Sequence, residues 1–132
     1  MTPDPAPTNP ETPVLTATAT RYTLTYPKTS DRPPMSVRFT AAPDDKGTWT
    51  VERQPFGAAG RMLTGDQPRR YFGDEARVRA EAAFRGLLVR EVLHVGRLLD
   101  LELEPRDVRF RDGVPTLDGM DAGEWLDAMG TD

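Results

Sequence analysis

His94 is the one histidine in a chain of 132 residues that contains no cysteine. Thiolate catalysis, disulfides and cysteine-held zinc are therefore excluded, and one imidazole cannot build a histidine-rich metal site. Ser30 and Ser36 have no histidine near them in sequence, and no glycine-flanked nucleophile turn is present. The stretch GAAGRMLTG (57–65) has glycines but lacks the Lys-Ser/Thr pair and the strand-to-helix frame of a phosphate loop. Asp100, Glu102 and Glu104 alternate, which on a strand makes a solvated acidic row rather than a converging pair. Asp112, Asp118, Asp121 and Glu124 do not have calcium-loop spacing. These residues predict no enzyme, no catalytic residue, no metal and no cofactor.

Charge is unevenly spread. The chain carries a net −4, yet residues 14–72 hold nine Lys/Arg against five Asp/Glu, and residues 98–132 hold three against ten. A mildly basic body thus ends in an acidic segment. The basic part raises nucleic acid as a partner, with Arg21, Arg38, Arg53, Arg69 and Arg70 as the contacts. Single-strand binders stack bases on exposed aromatic rings. Here Phe39 and Trp49 share parity with Met35, Val37 and Val51, which places them in the core. The opposite face offers Ser36, Arg38, Thr40, Thr48 and Thr50, able to touch phosphates but with nothing to stack on.

The elements that must position these residues follow from periodicity. Residues 1–13 contain five prolines and little to bury, so they read as a disordered arm. Their lack of a basic start and an apolar core predicts no signal peptide, and no apolar run is long enough to span a membrane. The cytoplasm is the expected compartment. Strands are expected over 14–27, with a bulge near Thr20, and over 35–41 and 48–53. The segment 28–34 is expected as a loop and 43–47 as a turn, with a short fourth strand around Arg61–Thr64. A long helix follows from about Asp74, its expected N-cap, to Leu99. Then come a short strand over 107–110, a turn at Asp112–Gly113 and a short acidic helix in 119–132. Asp121 and Glu124 have the spacing of a capping box at that helix. The predicted fold is α+β: an antiparallel sheet of three or four strands covered by one long helix, as a single domain over 14–118.

The long helix carries more apolar surface than one contact requires. With Phe84 at zero and about 100° per residue, Leu88, Val92, Val95 and Leu99, together with Ala80, Leu87 and Leu98, form a stripe for the sheet. Ala82, Gly86, Val89 and Leu93 form a second stripe on the far side, continued by Val78 and Gly96 and bordered by Arg79, Arg90 and Arg97. Gly86 costs about 1 kcal/mol relative to Ala inside a helix, a cost best tolerated where another backbone approaches closely. Two covers are open: the chain's own C-terminal segment, or a second subunit with paired helices. The terminal helix has the same ambiguity, since Trp125, Leu126 and Met129 suit either a docking helix or packing on their own domain. The expectation is a non-enzymatic binding protein acting through protein–protein contacts, as a homodimer built on the long helix. Nucleic-acid binding through the basic, threonine-rich sheet face is the alternative.

Overall fold

The computed structural model describes residues 20–27, 35–57, 60–63, 67–111 and 113–130. The expected arm, the first part of the first strand and the loop 28–34 lie outside the described residues.

Alternation builds the main sheet. Strands β1 (Thr20–Thr25), β2 (Ser36–Pro43), β3 (Trp49–Phe56) and β4 (Arg69–Tyr71) form an antiparallel meander in the order β1-β2-β3-β4. Tyr22 pairs with Phe39, Leu24 with Val37 and Ala41 with Val51, and all six are buried on the inner face. Trp49 is buried beside them. The β2–β3 turn is tied by Asp44, whose Oδ1 accepts hydrogen bonds from the backbone N–H of Lys46 at 2.8 Å and Thr48 at 2.9 Å. Those donors hold the Asp44 carboxyl below its ordinary range.

The fourth strand is not where alternation placed it. Among the described residues of 61–64, only Met62 bridges Phe56, while Leu63 donates its N–H to the Pro55 carbonyl at 2.9 Å. This segment turns back tightly on the end of β3 and stops. The strand that extends the sheet is Arg69–Tyr71, paired with Val51–Trp49. It is short and polar, as an edge strand tolerates, so it carries no apolar alternation to read.

Helix α1 (Ala76–Leu98) lays Ala80, Phe84, Leu87, Leu88, Val92 and Val95 onto β2, β3 and β4. It enters at Glu75 with no side-chain cap, so Asp74 does not take the N-cap role expected of it. Its far end closes with Asp100 in the left-handed region, φ 61°. The Asp100 N–H reaches the Arg97 carbonyl at 3.1 Å and the Leu101 N–H the Gly96 carbonyl at 2.8 Å, a Schellman closure. The chain then doubles back, with Leu103 lying over Gly96.

The C-terminal part holds more strand than its sequence advertised. The expected short strand, β5 (Val108–Arg111), is followed by β6 (Val114–Leu117) and β7 (Met120–Asp121), a second antiparallel sheet in the order β5-β6-β7. Asp118 and Gly119, at φ 55° and 81°, make the tight turn between β6 and β7. Helix α2 (Ala122–Gly130) starts at once, capped by Asp121, whose Oδ2 accepts from the Glu124 N–H at 3.0 Å. That bond is the one the Asp-x-x-Glu spacing predicted. Ala122 and Leu126 are buried, and α2 packs on β6 and β7, on α1 and on the edge of the main sheet at β1. The Tyr22 hydroxyl donates to Asp121 Oδ1 at 3.0 Å and accepts from the Gly123 N–H at 3.1 Å. Two helices therefore share the inner face, α1 over β2–β4 and α2 over β1. The architecture is α+β, and no helix among the described residues is long and apolar enough to cross a membrane.

Candidate functional site

The inner side of α1 contains a charge that the periodicity did not single out. Glu91 lies in the middle of the core stripe and is 5% exposed. Arg53, on the inner face of β3, grips it from the sheet: Nε to Oε1 at 2.9 Å and Nη2 to Oε2 at 3.2 Å. The Tyr26 hydroxyl of β1's extension also donates to Oε2. Burial, followed by its hydrogen bond to the Glu91 carboxylate, pushes the Tyr26 phenol above its ordinary range. Among the described residues no buried side-chain nitrogen or oxygen lacks a partner. The trio is thus a part-buried network joining α1, β3 and the end of β1. It pins helix to sheet. His94 stands at its rim, exposed, with its ring 6.3 Å from that of Tyr26.

Arg53 accordingly departs from the group of arginines expected to contact nucleic acid. Register decides this, because Arg53 pairs with Phe39 and so shares the inner face, whereas Arg38 pairs with Thr23 and Gln54 on the outer one. Arg21 and Arg70 also belong to the outer face, and Arg69 lies exposed at the β4 edge opposite Val51. The outer face does carry one aromatic that the sequence reading left in a glycine-rich loop. Phe56 is half-buried there, with the Arg38 guanidinium 4.7 Å from its ring centre. Glu52 sits opposite Thr40 in the middle of the same face.

The outer side of α1 divides in two. Toward the C-terminus the chain covers itself: Gly96 is buried and Val89 and Leu93 are half-buried. A Cβ on Gly96 would come within 2.8 Å of Leu103 Cδ1, so the close approach allowed by a helical glycine occurs here. Phe110 of β5 lies beneath the Arg85 guanidinium at 4.9 Å. Toward the N-terminus the cover ends. Ala82 and Gly86 are exposed and Val78 is 67% exposed. A Cβ on Gly86 would meet nothing within 4 Å. The expectation of a tight contact at Ala82 and Gly86 is therefore not met among the described residues. The return segment covers this strip as far as Val89 and touches Arg85 at its edge through Phe110, leaving Gly86 and Ala82 exposed. Arg79, Arg90 and Arg97 are exposed along the border of this strip.

Helix α2 packs on its own domain through Leu126, with Trp125 half-buried and Met129 50% exposed. Its outward side presents Glu124, Asp127, Ala128 and Met129. Beside it an open groove of about 660 Å³ is lined by Leu103, Arg106, Asp107, Arg109, Leu117, Asp118, Gly119 and Trp125. Its charges are of both signs and exposed, so they converge on no single ligand type. Among the described residues no group of three His, Asp or Glu side chains could hold a metal ion. No protein-family model, curated protein or solved structure matches the chain.

Proposed function

We propose that this chain is a non-enzymatic binding protein that works through protein–protein contacts, self-associating through the open half of α1, with the cytoplasm as its compartment. The observation that carries this reading is Gly86. It stands mid-helix, exposed, with open space where a side chain would be. Exposed glycine weakens a helix by about 1 kcal/mol relative to alanine, and nothing among the described residues offsets that loss. A second backbone approaching the strip Val78, Ala82, Gly86 would do so, and would shield an aliphatic row that soluble monomers rarely leave bare. The test is sedimentation of the wild type against Gly86→Leu. The expected result is an oligomer that becomes monomeric on substitution, while the melting temperature of the monomer holds. An unchanged mass in Gly86→Leu would sink the reading.

One observation favours a second reading, in which the outer sheet face binds single-stranded nucleic acid. Phe56 supplies the ring that the alternation did not reveal, with Arg38 over it, while Arg21 and Arg70 lie farther along the same face. Retention on single-stranded DNA that falls steeply with salt would support it. No retention at about 50 mM salt would dismiss it.

A further inference from the structure

We infer that the open strip of α1 is occupied by α2 of a second copy of this chain, an inference that rests on the protein-binding reading above. Three features of the strip define its occupant. The surface is apolar and small, from Val78 through Ala82 to Gly86. One border is basic, formed by Arg79 and Arg90. The free length from Val78 to Val89 is about 17 Å.

A second α1 meets these requirements poorly. Two copies of one helix paired antiparallel about a two-fold axis bring the same flank together, so the arginine row would face itself. Paired parallel, the row would face Glu81, which is already held by Arg85 at 2.9 Å. Helix α2 meets them well. It is nine residues long, about 14 Å. It presents acidic Glu124 and Asp127 beside exposed Ala128 and Met129. Ala128 against Gly86 and Ala82 sets small residues on small ones, so the two helices come close. Glu124 then falls among the arginines. The contact joins two different patches, so it closes as a reciprocal pair or continues as a ring or chain of subunits.

Sedimentation velocity over a wide concentration range, from low salt to about 1 M salt where charges are screened beyond about 3 Å, provides the test. The wild type should self-associate at low salt and weaken as salt rises. Arg79→Glu with Arg90→Glu should weaken association by about tenfold or more, and so should Glu124→Lys with Asp127→Lys. All four positions are exposed, so the folds should persist. Mixing the two double variants should restore association, since the reversed charges complement each other again. A mixture that stays monomeric overturns the inference. Association that survives both reversals but is lost in Gly86→Leu overturns this occupant and leaves the protein-binding reading standing. A wild type that is monomeric at every concentration overturns both.

Discussion

Gly96 and Gly86 lie ten residues apart on the same stripe of the same helix, and they have opposite surroundings. At Gly96 the returning chain presses Leu103 to within 2.8 Å of where a Cβ would sit, and at Gly86 there is nothing within 4 Å. Beneath the first half lies the Arg53–Glu91–Tyr26 network; the turns beneath the second are lined by Ala76 and Ala80. One half of α1 is fastened on both sides, the other only from below. A glycine in a helix is therefore not evidence of a partner until its own chain has been given the chance to fill the space. Here that test separates two residues that the sequence presents as equivalents.

The largest expected break comes from inside the fastened half. Arg53→Met leaves Glu91 buried without its counter-charge and should cost about 3–5 kcal/mol, read by urea unfolding. A loss below about 1 kcal/mol would mean that water reaches Glu91 and that the pin is a surface ion pair. The same network sets an alkaline limit. Tyr26 has a phenol raised above its ordinary range by burial and by Glu91, and Tyr22 one raised by burial and by Asp121. A group whose folded pKa exceeds its unfolded value stabilises below the unfolded value, about 10 for tyrosine, and loses that contribution as pH climbs above it. Stability should thus fall above about pH 10, with Tyr22 and Tyr26 ionising only as the protein unfolds, as followed by absorbance of the phenolate.

Smaller effects sharpen the contrast between the two glycines. Gly96→Leu forces Leu103 off its seat and should destabilise by about 1–3 kcal/mol. Gly86→Ala should do the reverse, stabilising the isolated chain by up to about 1 kcal/mol through helix propensity alone. Thermal melts at low protein concentration would check both. Equal responses at the two sites would erase the distinction.

What the sequence made legible followed the strength of its period. Val37, Phe39, Trp49 and Val51 alternate without interruption, and all are buried where that alternation put them. The core stripe of α1 was readable for the same reason from Ala80 to Val95, but Leu98, counted in it, is exposed where the helix ends. Arg69–Tyr71 was not, because an edge strand of three residues has neither length nor alternation. The sheet β5–β7 was visible only as its first strand, since β6 contains Pro115 and β7 is two residues long. The Asp118–Gly119 dipeptide was its overlooked hairpin signal. The pin joins residues 38 apart, which no local pattern links. It left a trace all the same: Glu91 interrupts an apolar stripe, and Arg53 has the inward parity of Trp49 and Val51. Each anomaly alone reads as noise; two buried charges of opposite sign on facing elements read as a pair. For the outer strip, sequence gave the residues but not how far the return segment reaches, which depends on where the Schellman closure sends the chain.

The Tyr22 bonds to Asp121 and Gly123 span 99 and 101 positions of the chain. Closing so long a loop earns nothing until both ends have arrived, whereas the β1–β2–β3 meander and α1 form from near neighbours. During synthesis from the N-terminus, the β1 edge of the core is therefore completed last. Tyr22 and Leu24 wait for their last cover until the segment carrying Ala122 and Leu126, 99 to 101 positions on from Tyr22 at its nearest bonds, emerges. Until α2 is in place the fold keeps one greasy flank at its β1 edge, the surface a chaperone would meet.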